Sequence, residues 1–430
     1  MERSAGILYP LTTLGSASYD FVDFLVAAGQ SWWQILPIGP TDETLSPYRS
    51  SSVFAGDPAL LASAEPQDAA TEHESWMDDY ALFAAVRRSQ GHVPLAFWPD
   101  ELRNPSEATL AGLRATLQAE VEAAAQQQHT FFQQWHDLKR YANGKGLRII
   151  GDLPIYVGED SADFWLRRSV FDVDINGRPA TSAGVPPDAY SIYGQLWNEP
   201  VYDWDTSPVD VFRFWRDRLN QAATLYDGVR IDHFRAFADF YALPLDGSKV
   251  GEWRRGPGKE FVDMVREEHP DLLVIAEDLG DLSQAAKDLV VYSGFPDMKV
   301  LQFAFDSDEK STHLPHRIGN RSICYTGTHD NDTLLGWLDS LPADELRRVR
   351  EYLDIGDRQD LADTLLQAAL ESDAAIVIIP IQDWLGLGSE ARLNTPGTEG
   401  GNNWQWRIPQ GALTEELAAR MRTLAEASGR

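Results

Sequence analysis

The sequence predicts an α/β chain folded as a (β/α)8 TIM barrel with helical and loop insertions. Three observations carry this expectation. Eight short apolar runs, at 5–9, 33–38, 148–153, 228–232, 272–277, 298–303, 323–326 and 374–379, recur along the 430 residues. Most are continuous rather than alternating, the pattern of strands covered on both faces in a parallel sheet. Stretches with helical periodicity separate them, and strand–helix alternation implies right-handed βα units. Eight such units match a closed barrel. An open doubly wound sheet is the alternative that the same pattern allows.

The elements follow in order. The first two runs, Ala5 to Tyr9 and Trp33 to Ile38, are followed by a long segment, 40–146, rich in Ala, Gln and Glu. It reads as a helical insertion subdomain, with 108–135 its most helical part. After the third run, 172–205 carries Gly, Pro and aromatic residues and reads as an active-site loop insertion. Loops longer than about 15 residues in a compact domain are usually functional. Before the fourth run, 211–226 sets Val211, Phe214, Trp215, Leu219 and Ala222 on one helical stripe. Helices over 261–268, over 343–353 with 360–370, and over 413–425 precede the fifth run, precede the eighth, and close the chain. Residues 1–430 therefore read as a single catalytic barrel.

Charge excludes some functions. With 66 acidic and 37 basic residues the formal net charge is −29, and phosphate binding needs a basic face. No nucleic-acid partner is expected, and no membrane partner for the same reason. The acidic surface suits an ordinary cytoplasmic protein more simply than a salt-adapted one. The single cysteine, Cys324, permits no internal disulfide and lies in an apolar run, as a buried thiol does. No apolar run reaches the roughly 18 residues of a membrane span, and no basic-then-apolar leader opens the chain. A cytoplasmic location is expected. Of the 14 Trp, most belong in the core, and some in a cleft would suit stacking on sugar rings.

Barrel active sites lie at the C-terminal ends of the strands. There the runs place Asp152, Asp232, Glu277 with Asp278, Asp330, and Gln382 with Asp383. A single strand-end acid usually caps a helix or pairs with Arg; several at one end point to a site. Two carboxyls facing each other across a glycosidic bond are the minimum for cleaving it. Arg230, two residues before Asp232, would keep that carboxylate charged and oriented, which suits a nucleophile. Glu277 follows Val274-Ile275-Ala276, and apolar surroundings suit a proton donor. Asp330 and His329 are placed to bind ring hydroxyls and stabilise positive charge. Asp232, His233, Glu277 and His329 offer metal ligands as a competing use, but no HExxH, CxxC or paired-His spacing supports it. No phosphate or dinucleotide loop is present. No metal and no cofactor are expected.

The motifs together resemble the 4-α-glucanotransferases called amylomaltase or disproportionating enzyme, glycoside hydrolase family 77. They are Trp33-Gln34-Ile35-Leu36-Pro37-Ile38-Gly39-Pro40, Ser46-Pro47-Tyr48, Phe54-Ala55-Gly56-Asp57-Pro58, Gly151-Asp152-Leu153-Pro154-Ile155-Tyr156-Val157, and Gly184-Val185-Pro186-Pro187-Asp188. Further along come Gly194-Gln195-Leu196-Trp197, Val229-Arg230-Ile231-Asp232-His233-Phe234-Arg235, Ala276-Glu277-Asp278-Leu279-Gly280, Gly327-Thr328-His329-Asp330-Asn331-Asp332-Thr333, Arg392-Leu393-Asn394-Thr395-Pro396-Gly397-Thr398 and Asn403-Trp404. The resemblance implies a barrel without a C-terminal β-domain, acting on α-1,4-glucans and maltooligosaccharides. It implies Asp232 as nucleophile, Glu277 as general acid/base and Asp330 as transition-state stabiliser. Arg230 and His329 match substrate contacts, and Tyr48, Asp152, Asp188, Gln195, Trp197 and Asn394 match further binding positions.

The chain also departs from the family pattern. The segment after Tyr9 lacks the usual Gly-rich stretch, and the chain is shorter than typical members. Ala236 stands where Gly is common, and Trp197-Asn198-Glu199-Pro200 replaces the usual Trp-Gly-Asn-Pro. The implied chemistry is retaining transfer, with the two carboxyls about 5–5.5 Å apart. The segment 181–197, with Tyr190, Tyr193 and Trp197, is the expected cover that keeps water out. The rivals are a net α-1,4-glucan hydrolase and a catalytically silent glucan-binding protein.

Overall fold

The computed structural model describes residues 1–11, 17–60, 75–186, 194–246, 250–305, 311–355 and 358–430. Among these, the strands are β1 (Ser4–Leu8), β2 (Trp32–Gln34), β3 (Arg148–Leu153), β4 (Thr181–Val185), β5 (Gln195–Pro200), β6 (Gly228–Ile231), β7 (Asp239–Pro244), β8 (Glu252–Arg255), β9 (Leu273–Ala276), β10 (Met298–Val300), β11 (Ile323–Tyr325) and β12 (Ile376–Pro380). One sheet runs β10-β11-β12-β1-β2-β3-β6-β9 with parallel neighbours throughout. Its two ends meet through a parallel bridge between Ala276 and Asp297. Ala276 N–H donates to the Pro296 carbonyl at 2.9 Å, and Met298 N–H to the Asp278 carboxylate at 2.9 Å. The sheet is thus a nearly closed eight-stranded barrel, which sets the open-sheet alternative aside.

The continuous apolar runs follow from two-sided burial. Ile376 and Ile378 pack inside with Leu8, Trp32, Ile150, Met298 and Tyr325, while Val377 and Ile379 pack outward against the helices. Successive side chains point to opposite faces, so both parities must be apolar. Cys324 is fully buried on the outer side. Helices Ser75–Ser89, Glu107–Thr116 and Gln118–Gly144 lie between β2 and β3. Trp135 of the last is fully buried and donates its indole N–H to the Leu225 carbonyl at 3.0 Å. Helix Pro208–Leu225 starts with proline, which suits a first turn that needs no N–H there. It buries Val211, Phe214, Trp215, Leu219 and Ala222, the predicted stripe.

The segment 172–205, read from sequence as loop, contains β4 and β5. They join β7 and β8 in an antiparallel sheet ordered β5-β4-β7-β8. Thr-Ser-Ala-Gly-Val and Gln-Leu-Trp-Asn-Glu-Pro have little intrinsic strand preference. Their pairing with a segment on the far side of β6 holds them, and no local pattern announces such a partner. Ser182 pairs with Pro200 but Gly184 with Leu196, so β5 bulges between them, and Asn198 within the bulge has φ 59°.

Barrel closeness sets a testable limit on β1. A Cβ on Gly6 would meet the Cβ and carbonyl oxygen of Trp32 at 2.7 Å. Gly6→Ala is expected to cost about 1–3 kcal/mol through overpacking, read as a lower urea midpoint. An unchanged midpoint would contradict this packing.

Candidate active site

The register of two strands builds the centre. Ile231 of β6 pairs with Ala276 of β9, so Asp232 and Glu277 are the next residues of neighbouring strands, whose axes run about 4.8 Å apart. Asp232 N–H donates to the Leu153 carbonyl at 3.0 Å and Glu277 N–H to the Ile231 carbonyl at 3.2 Å, extending both ladders. The chain then turns sharply. His233 has φ 51° and ψ 48°, the left-handed region that non-glycine residues seldom occupy. That turn aims His233 N–H at Glu277 Oε2 at 2.8 Å, while Leu279 N–H reaches Oε1 at 2.9 Å. Both carboxyl oxygens of Glu277 are thereby fixed. Burial pushes the Glu277 carboxyl up to about 7; Arg230 pulls it down, Asp232 pushes it up, and the two N–H donors pull it down. Burial holds the neighbouring His233 down at about 4, so its imidazole is neutral at pH 7.

A second set of bonds ties Asp232 to the opposite side. Asp152 and Arg230 are register partners on β3 and β6. Arg230 Nη1 donates to both Asp152 oxygens, at 2.9 and 2.7 Å, and Nη2 donates to Asp232 Oδ1 at 2.6 Å. Burial would lower the Arg230 guanidinium, but the charges of Asp152 and then Asp232 outweigh it and push it well above its usual value. Tyr48 donates to Asp152 Oδ2 at 2.8 Å, and its oxygen lies 2.8 Å from His329 Nε2. The tyrosine proton goes to the carboxylate, so Nε2 must carry the hydrogen that points at Tyr48. His329 Nε2 lies 3.4 Å from Asp330 Oδ2, and Asn394 Nδ2 donates to Asp330 Oδ1 at 2.6 Å.

Most residues singled out in the sequence thus meet. Asp232, Arg230, Asp152, Tyr48, His329, Asp330 and Asn394 form one polar chain, and Glu277 joins it through the His233 turn. Trp197 sets its ring against the His233 imidazole at 4.9 Å, edge to face, and donates its indole N–H to Gln195 Oε1 at 3.1 Å. Asp188, Tyr190 and Tyr193 lie outside the described residues. The Asp152 side chain has no exposed surface and is enclosed by its bonds to Arg230 and Tyr48. Asp278 faces the barrel seam, bonding Met298 N–H. Asp383 is also structural, accepting from Thr326 Oγ1 at 2.6 Å and Leu334 N–H at 2.7 Å. Sequence reasoning missed two residues. Trp404 lies 6.0 Å from both the Tyr48 and His329 rings, and Arg392 donates to the Asp330 and Asn394 carbonyls at 2.7 and 2.6 Å. Both stand in quoted motifs, which was the signal available. Among the described residues no group of three or more His, Cys, Asp or Glu is arranged to hold a metal.

Comparison with known proteins bears on this geometry. The family model described as 4-alpha-glucanotransferase, glycoside hydrolase family 77, matches residues 9–73 and 63–414. A 4-alpha-glucanotransferase of Thermus thermophilus is 38% identical over 98% of this chain and 96% of its own. A chloroplastic/amyloplastic 4-alpha-glucanotransferase of Solanum tuberosum is 35% identical over 99% of this chain and 85% of its own. The amylomaltase of Streptococcus agalactiae, solved in complex with acarbose, superposes with a TM-score of 0.93 at 32% identity, each chain covered completely. An eight-stranded barrel carrying this set of acids at its strand ends, matched along almost its whole length, belongs to the 4-alpha-glucanotransferase family, glycoside hydrolase family 77.

Proposed function

We propose that this enzyme transfers segments of α-1,4-glucan to a glucose or maltooligosaccharide acceptor by retaining double displacement, with Asp232, Glu277 and Asp330 as its catalytic residues. The observation that carries this reading is the Asp232–Glu277 pair at adjacent strand ends. One is held by a guanidinium, and the other has its carboxyl pushed up to about 7, chiefly by burial. Asp232 attacks the anomeric carbon as Glu277 gives its proton to the departing 4-oxygen, and the reducing-end segment leaves. The 4-hydroxyl of an acceptor then loses its proton to Glu277 as its oxygen takes the anomeric carbon from Asp232. Asp330, braced by Asn394, stabilises the positive charge that develops on the sugar in the transition state of each step.

Arg230, His329, Tyr48, Asn394, Gln195, Trp197 and Asp188 bind substrate in this reading, with Asp152 positioning Arg230 and Tyr48. The sheet of β4 and β5, which brings Trp197 against His233, covers the site and favours an acceptor sugar over water. No cofactor enters either step. The −29 charge supports action on neutral glucans in the cytoplasm rather than on nucleic acid or membrane.

Incubation with maltotriose is expected to give a ladder of longer and shorter maltooligosaccharides; breakdown products alone would make the enzyme a hydrolase. Asp232→Asn should lower turnover roughly 10⁴-fold or more with the fold intact, and full activity in that variant removes it as nucleophile.

Glu277 makes a pH prediction with a definite sign. Its carboxyl is raised from 4.5 to about 7 by folding, so the stability it contributes is fully present below about 4.5 and lost as pH rises through about 7. Glu277→Gln should therefore melt higher than wild type at pH 8, with the gain shrinking toward pH 4. Transfer by the wild type should fall over the same upper range. A Glu277→Gln gain independent of pH would contradict the assignment.

A further inference from the structure

Glu199 is a carboxyl beside this site, close enough to Asp232 for the two charges to interact, that the reaction above does not use. It lies on β5, where Gln195, Trp197 and Glu199 are partly buried and the intervening Leu196 and Asn198 are exposed. Their alternating burial turns these three residues toward the protein, and Trp197 sets its ring against His233, next to Asp232. The bulge between Leu196 and Pro200, with Asn198 in the left-handed region, re-aims the strand at this point. Asn198 and Glu199 are also the two positions where the Trp-Gly-Asn-Pro pattern is broken.

The charged and titratable groups around it come from five segments. Asp232 follows β6, Arg49 lies in the loop after β2, Arg218 in helix Pro208–Leu225, Tyr156 beyond β3, and Tyr202 beyond β5. Tyr156 stacks on Tyr202 at 5.6 Å and tilts against Trp197 at 6.4 Å, so this wall is largely aromatic. Arg218 is already committed to the Pro154 and Ile155 carbonyls and the Tyr202 hydroxyl. Arg49 is bonded to Glu399. Neither guanidinium forms an ion pair with Glu199.

On the reading of the site as a glucan-transfer centre, we propose that Glu199 is a sugar-binding residue, its carboxyl sharing a hydrogen bond with a hydroxyl of the glucosyl unit held at Asp232. Burial, then the charge of Asp232, push this carboxyl up to about 8, with Arg49 and Arg218 pulling the other way. At neutral pH it is therefore an acid that both donates and accepts, as sugar hydroxyl recognition requires. Ionisation removes the donor and sets a second negative charge facing Asp232.

The test compares kcat/KM on maltotriose for wild type, E199Q and E199A between pH 6 and pH 9. Dividing E199Q by wild type cancels the titration of Glu277, common to both. An acid of pKa about 8 is ionised over protonated by about ten to one at pH 9, so the E199Q to wild-type ratio should rise about five-fold or more across this range. E199A should lose about ten-fold at pH 6, mostly as a raised KM, as expected for one missing hydrogen bond. A flat E199Q ratio, or an unchanged KM in E199A, overturns the role. If E199A fails to fold, the isosteric E199Q ratio decides alone. A wild-type enzyme that makes no ladder from maltotriose overturns the reading of the whole site, whereas a ladder with a flat ratio overturns Glu199 alone.

Discussion

Arg230 and Asp152 face each other across β3 and β6 as a buried ion pair, one nitrogen shared between both carboxylate oxygens, and the rest of the site is hung from it. One guanidinium nitrogen is spent on Asp152, which leaves the other pointing at Asp232. The second oxygen of Asp152 receives Tyr48, which in turn meets His329. Breaking such a pair by removing one partner typically costs about 3–5 kcal/mol, because a buried charge is left alone. That is a large part of the 5–15 kcal/mol that usually separates folded from unfolded chains. A pair so placed contributes little net stability against a well-packed apolar alternative; what it contributes is orientation.

The same trade is visible at Glu277. Its carboxyl is buried, raised to about 7, and held by two backbone N–H groups, one of which comes from His233 in a left-handed turn. A non-glycine residue there costs of order 1–3 kcal/mol unless its surroundings enforce it. Here the edge of Trp197 against the imidazole and the bonds to both Glu277 oxygens do so. Strain, a buried acid and a buried ion pair all sit within a few residues of the two central carboxyls, while β9, which leads to Glu277, is apolar on both faces.

That division explains what could be read from the sequence. Strands covered on both sides print unbroken apolar runs, so the eight barrel strands and the acids following them were legible. Asp232 and Glu277 stood out because their strands end where the polar residues begin. The β4–β5–β7–β8 sheet was not legible, since Gly184, Asn198 and Pro200 disguise two of its strands and their partner is supplied from beyond β6. Asp278 and Asp383 share the strand-end position of Asp232 and Glu277 but bond the barrel seam and a helix start. Only three-dimensional neighbours separate those cases. Asp152, another strand-end acid, is a fully buried side chain bonded to Arg230 and Tyr48, which its sequence position did not reveal.

The claim most exposed to direct test is that Asp232 forms a covalent bond to sugar. A Glu277→Gln enzyme given α-maltosyl fluoride has a leaving group that needs no acid, but lacks the base that would release the intermediate. Peptide mapping by mass spectrometry should then find a glycosyl adduct on the peptide containing Asp232. An adduct on any other carboxylate, or turnover of the fluoride with inverted anomeric configuration, would contradict the account.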